Sequence, residues 1–133
     1  MSDTTDFTLR TEVPRAFEET LEAVRAALTD QGFGILTEID LAGTFKKKLD
    51  KDTPPQVILG ACRPQLAYEA VSQEPAVAAL LPCNVVVRQA SPDSTVVEAF
   101  DPAAMTSLGG AAVEEVAADA KQRLQAALDS LAG

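Results

Sequence analysis

The two cysteines of the chain, Cys62 and Cys83, are the side chains best suited to chemistry. A thiolate is a nucleophile and a ligand for soft metal ions, and two adjacent thiols can form a reversible disulfide. Arg63 and Asn84 follow them directly. Because a positive side chain and a helix start near Pro64 both favour the charged form of a thiol, the sequence predicts a thiolate at Cys62.

The cysteines are predicted to meet at one edge of a sheet. Residues 56–62 and 83–89 are both predicted strands, so that Cys62 ends one strand and Cys83 begins the next. If these strands are antiparallel neighbours, the end of one lies beside the start of the other. A strand over 95–100 would end at the same edge. The candidate ligand-binding residues are therefore Cys62, Arg63, Cys83, Asn84 and Asp101, and the candidate ligands of a soft ion such as Cu(I) are Cys62, Cys83 and Met105.

An inert role for the same cysteines stays open. Cysteine is among the most often buried residues and packs as a small hydrophobic side chain. By strand alternation Cys83 shares a face with Val85, and Cys62 shares one with Ile58.

Charged residues in the second quarter of the chain are secondary candidates for a functional site. Glu38 and Asp40 share one face of a predicted strand, so they could form a carboxylate pair. The run that contains Lys46 and Lys48 could bind an anion or a partner, or it could be a solvated helix face.

Composition excludes several kinds of function. The chain has no histidine, which removes Ser–His and Cys–His catalysis and histidine metal ligands. It also has no glycine-rich phosphate loop followed by lysine and serine or threonine. A net charge of −9 disfavours nucleic acid and anionic membranes as partners. We therefore expect a protein that is not an enzyme, has no cofactor that can be named, and could bind a small molecule.

The elements that position these residues follow from hydrophobic spacing. A short strand over 7–11 precedes a helix that begins at Pro14 and is capped by Gly32. A strand over 33–40 is predicted to put Phe33, Ile35, Thr37 and Ile39 on one face, and a short exposed helix over 41–51 follows it. The remaining predicted elements are a strand over 56–62, helical segments over 64–73 and 75–80, strands over 83–89 and 95–100, a turn capped by Asp101, and a last helix that begins after Gly109-Gly110.

This order, β-α-β-(α)-β-(α)-β-β-α, predicts an α+β fold with a mostly antiparallel sheet of about five strands and two long helices on one face. The length of 133 residues is typical of a single domain, over 1–133. With two cysteines and no secretion signal at the start of the sequence, we expect a cytoplasmic protein.

Several stretches resemble a known family. They are Gly32-Phe33-Gly34-Ile35-Leu36-Thr37-Glu38-Ile39-Asp40, the stretch 46–49, Ile58-Leu59-Gly60-Ala61-Cys62-Arg63-Pro64, Leu80-Leu81-Pro82-Cys83-Asn84-Val85-Val86-Val87, and Asp101-Pro102. In this order they resemble the domain-of-unknown-function family 302. The resemblance implies a curved antiparallel sheet of the TATA-binding-protein type and a homodimer. It implies no established activity, so no catalytic residue is assigned.

Three functions compete at this point. The first is a non-enzymatic module that binds a ligand or a soft metal at Cys62 and Cys83. The second is a thiol redox or sulfur-transfer protein that uses the same pair. The third is a structural or interaction homodimer that acts through its acidic surface.

Overall fold

The computed structural model describes residues 7–132, and the strands in this range form one five-stranded sheet. The strands are β1 (Thr8–Val13), β2 (Gly34–Asp40), β3 (Gln56–Cys62), β4 (Cys83–Ser91) and β5 (Ser94–Phe100). Their order in the sheet is β1-β5-β4-β3-β2, and every neighbouring pair is antiparallel. The predicted α+β class and the antiparallel sheet are confirmed.

Helices connect and cover these strands. They are α1 (Phe17–Asp30), α2 (Leu41–Leu49), α3 (Pro64–Gln73) and α4 (Thr106–Ala132), with 3₁₀ turns at Pro75–Leu80 and Pro102–Met105. The prediction that the first helix begins at Pro14 is wrong, because Ala16 is the N-cap and is still extended. None of the helices within residues 7–132 is long and apolar enough to cross a membrane.

The two long helices pack on the same face of the sheet, as predicted. Alternate strand residues such as Leu59, Val85 and Val97 are fully buried in one cluster with Leu28 of α1 and Leu124 of α4. Aliphatic side chains at strand and helix periods therefore build the main core.

On the opposite face of the sheet, charged and apolar side chains lie next to each other across three strands. Arg10, Glu98 and Val86 are aligned across β1, β5 and β4. Burial raises the pKa of Glu98, but hydrogen bonds from Thr8 and Arg88 and the charges of Arg88 and Arg10 outweigh it and lower this pKa. Glu98 therefore stays ionised on this face.

A bulge in β2 changes which side chains face the helices. The register shifts between Ile35 and Thr37, so that Thr37 pairs with Gly60 and Ile39 with Ile58. The prediction that Thr37 and Ile39 share the face of Phe33 and Ile35 is wrong, because an extra residue reverses the alternation.

The predicted helix break at Gly109-Gly110 is confirmed at its second glycine. Gly110 has φ 65° and ψ −152° inside α4, a conformation that side-chain-bearing residues rarely adopt. The segment after the break supplies Val113, Leu124 and Leu128 to the interior. Gly110 thus separates the 3₁₀ turn and first helical turn from the packed part of α4.

Candidate functional site

Both cysteines are among the residues that line one small cavity between the sheet and the helices, which we name the thiol cavity. Ala61, next to Cys62, pairs with Cys83 across β3 and β4, so the two cysteines lie at the same edge of the sheet. The cavity measures about 30 Å³. Its lining residues are Phe33, Ala61, Cys62, Arg63, Leu66, Ala67, Leu81, Cys83, Val116 and Ala120. A cavity of this size has room for about one guest of the size of a water molecule.

Both thiols are neutral at physiological pH. Burial, together with the smaller effect of the nearby Cys62, raises the pKa of Cys83 from 9.0 to about 11. Burial also raises the pKa of Cys62, which is less deeply buried. The prediction of a low thiol pKa at Cys62 is therefore wrong, because loss of hydration outweighs any positive charge nearby.

The guanidinium group of Arg63 forms an ion pair with a carboxylate of α4. Its Nη1 lies 2.7 Å from Oδ2 of Asp119 in α4, and the Nε of Arg123 lies 2.9 Å from the same oxygen. Arg123 also donates to the carbonyl oxygen of Gln31, at 3.2 Å. We name Arg63, Asp119 and Arg123 the arginine cluster. The formal charges of its three side chains sum to +1, and it lies at the rim of the thiol cavity, which Arg63 lines.

The sequence around Arg63 explains why the chain turns there. Arg63 is extended, with φ −97° and ψ 104°, as expected for a residue that precedes proline. Pro64 then occupies the first turn of α3, where its missing N–H leaves no bond unmade. The strand therefore ends at Cys62, and the arginine enters the helix layer.

The other predicted ligands lie outside the thiol cavity. Asn84 is exposed and lies on the opposite face of β4 from Cys83, because successive strand residues alternate. Asn84 and Met105 line a separate groove of about 210 Å³. Met105 is 5% exposed and packs with Ala70 and Val77 in a second apolar cluster. The expected pocket that joins all these residues is therefore not formed.

Asp101 has a structural role instead. Its carboxylate accepts a hydrogen bond from the Ala103 N–H at 2.9 Å and caps the 3₁₀ turn, as predicted. The Nζ of Lys121 lies 3.2 Å from its other oxygen. No group of three or more His, Cys, Asp or Glu side chains in the part of the chain that the structure describes could hold a metal ion.

Two of the secondary candidates, Glu38 and Asp40, line a wide recess between α1, α2 and the β2–β3 edge, which we name the charged recess. It measures about 540 Å³. Glu38 pairs with Arg25 at 2.6 Å, and Asp40 accepts from the Gly43 N–H at 2.9 Å to cap α2. Lys46 pairs with Asp50 at 3.0 Å, and Lys48 is exposed. Since each carboxylate has its own structural partner, the two do not form an acid–base pair.

Sequence reasoning missed Arg25, Asp119 and Arg123. The spacing of Asp119 and Arg123, four residues apart in a predicted helix, indicated an ion pair. Nothing in the sequence indicated that this pair faces Arg63, because that contact depends on how α4 packs on the sheet.

Together these features define a small α+β domain fold with a thiol cavity between an antiparallel sheet and its helices. The family model described as "Domain of unknown function DUF302" matches residues 9–131, and the chain belongs to this family. A crystal structure of an uncharacterized conserved DUF302 protein from Bacillus stearothermophilus is similar, with 30% identity and a TM-score of 0.86. The match covers 96% of this chain and 99% of that chain. No functionally curated protein matches the chain.

Proposed function

We propose that this protein is a non-enzymatic binding module in which Cys62 and Cys83 hold a single soft metal ion of the Cu(I) type. The observation that supports this is that both cysteines are among the residues lining one small cavity with room for a monatomic guest, at the same end of β3 and β4. Thiolates select soft ions. Cu(I) is satisfied by two such ligands, whereas a structural zinc site needs four.

The electrostatics of the thiol cavity favour a complex with one negative charge. When two thiols bind Cu(I), each loses its proton, and the bis-thiolate complex carries a charge of −1. The arginine cluster beside the cavity sums to +1. The complex would therefore be neutralised inside the protein, and desolvation would penalise it less than it penalises a free thiolate.

Competition with bicinchoninate measures Cu(I) affinity and tests this proposal. We expect one Cu(I) per chain, and roughly 100-fold weaker binding after Cys62→Ser or Cys83→Ser, because one ligand is lost. Met105→Leu is the matched control and should bind as the wild type does, because Met105 lies in the separate groove. The absence of histidine limits competing sites.

The pH dependence of Cu(I) affinity provides a second test. Because both thiols are protonated before binding, the affinity should rise by about 100-fold per pH unit between pH 6 and 8. Equal affinity in wild type and both serine variants would refute the proposal, as would a site that depends on Met105.

A thiol redox function is the second candidate, and the same adjacency of Cys62 and Cys83 favours it. In that reaction the two thiols would lose two protons and two electrons to a disulfide oxidant, such as glutathione disulfide, which becomes two glutathione thiols. A mass decrease of about 2 Da with reversible loss of alkylation at both cysteines would favour this candidate. The cytoplasmic location expected from the sequence would keep the pair reduced and available to the metal.

A further inference from the structure

Helix α2 contributes no buried side chain to the core. None of its nine residues is buried, and the Leu49 side chain at its end is 62% exposed. Its ends are held locally, by the Asp40 cap at the start and by Asp50 in a left-handed conformation at the end. A helix this short is marginal in water unless it packs against something. Its exposed side is therefore available to a partner.

The exposed side of α2 is basic. Lys46, Lys47, Lys48 and Lys51 supply four of the 11 basic residues of a chain whose net charge is −9. Ala42 and Gly43 line the charged recess. Lys46 and Lys47 lie one helical turn further on the same side of the helix, and Leu49 follows Ala42 by two turns. This side of α2 therefore combines lysines with one large apolar side chain, and Lys46 also pairs with Asp50 and Asp52 at 3.0 and 3.3 Å.

The opposite wall of the charged recess is acidic. Glu18 and Glu22 of α1 line it, and Glu19 lies beside them in the exposed first turn of the helix. The positive charge of Arg25 in this wall is taken up by Glu22 and Glu38, at 3.4 and 2.6 Å. Phe17 and Leu21 lie below the carboxylates as an apolar floor. One face of the molecule thus holds an acidic stripe and a basic stripe on either side of a recess.

Two such stripes on one face are complementary to a second copy of the same face. When a twofold axis runs along the recess, parallel to the stripes, it places each basic stripe over the acidic stripe of the other copy. We propose that this face is the contact between two copies of this chain, with α2 of each protomer lying in the charged recess against α1 of its partner. The contact buries Leu49 over the apolar floor, and the charges fix its register.

A charge-exchange experiment tests this contact. One variant carries Lys46→Glu, Lys47→Glu and Lys48→Glu, and the other carries Glu18→Lys, Glu19→Lys and Glu22→Lys. Analytical ultracentrifugation of the wild type should show a dimer that weakens as salt is added. Each variant alone should dimerise roughly 100-fold more weakly, because like charges then face each other. An equimolar mixture of the two should recover a dimer, since every stripe again meets its opposite.

Controls separate this contact from others. Glu114→Lys with Glu115→Lys changes exposed charges on α4, away from the recess, and should leave the dimer intact. Circular dichroism should show that the variants are folded. A wild type that is monomeric at low salt would overturn the proposal. So would variants that dimerise unaided, or two folded variants that do not associate when mixed. All these readouts are independent of Cu(I) binding at the thiol cavity.

Discussion

Strand β3 connects two recesses of opposite character. At its end, Cys62 borders the thiol cavity, which is about 30 Å³ and is lined mainly by apolar side chains. At its start, Gln56 and Val57 border the charged recess, which is about 540 Å³ and contains four carboxylates. Burial perturbs the pKa values of both thiols in the first. The difference indicates that one end of the strand is suited to a small guest and the other to a macromolecular surface.

The depth of ion pairing also differs between the two ends. Asp119 holds two guanidinium groups, and the Arg63 side chain is only 17% exposed. Lys46 and Asp50 form a pair in which the side chains are 57% and 89% exposed. Because water and salt screen exposed ion pairs, the Lys46–Asp50 pair should stabilise the fold less than the Arg63–Asp119 pair does, although their distances are similar.

The largest effect is expected from Asp119→Ala. This change leaves Arg63 and Arg123 facing each other without their shared carboxylate, and should lower the free energy of unfolding by on the order of 2 kcal/mol. Urea denaturation measures it. Asp52→Ala, which removes an exposed partner of Lys46, is the matched control and should cost far less. Similar losses for the two changes would contradict the contrast between the ends.

The second-largest effect is expected at high pH, where ionisation of Cys83 should destabilise the protein. The pKa of Cys83 is raised from 9.0 to about 11. The protonated thiol stabilises the fold, so this contribution is fully present below pH 9 and is lost as the pH rises through about 11. Relative to Cys83→Ala, the wild type should lose on the order of 2 kcal/mol over this range. The urea midpoint as a function of pH measures the loss. If both proteins lose stability in parallel, Cys83 is not desolvated.

Loss of the α2 cap should have a local effect. Asp40→Ala removes the acceptor for the Gly43 N–H and should destabilise α2 by about 1 kcal/mol. Because α2 buries no residue, amide hydrogen exchange in the helix should speed up by about fivefold while global unfolding changes little. A large global loss would show that α2 supports the core.

The smallest effect is expected from Lys46→Ala. Its exposed pairs with Asp50 and Asp52 should contribute less than about 0.5 kcal/mol to unfolding. The free energy of unfolding should be measured at high salt, where the proposed charge contacts between protomers are screened. Arg63→Ala, at the other end of β3, is the comparison and should cost several times more.

The sequence predicted elements well where periodicity is local. The bounds of β3 and α3 agree with the predicted 56–62 and 64–73, because proline and strand-forming residues mark them. The Asp101 cap was readable for the same reason. Such features depend on a few adjacent residues.

The candidate site was predicted only in part. The adjacency of Cys62 and Cys83 followed from strand pairing. The pKa of Cys62 did not, because it depends on how far the folded chain buries this side chain. The predicted contribution of Met105 failed for a similar reason, since the sequence does not specify which apolar cluster a buried side chain joins.

The bulge in β2 has a consequence for how related chains can diverge. Leu36 is the additional residue, and it is 61% exposed. A ladder that ran on without the bulge would pair Leu36 with Gly60, turn Thr37 and Ile39 toward α1 and move Glu38 and Asp40 to the other face. The charged recess would then lose two of its four carboxylates without a single substitution. In this fold the presence of one bulge, and not only the residue identities of the strand, determines what kind of surface evolution can offer to a partner.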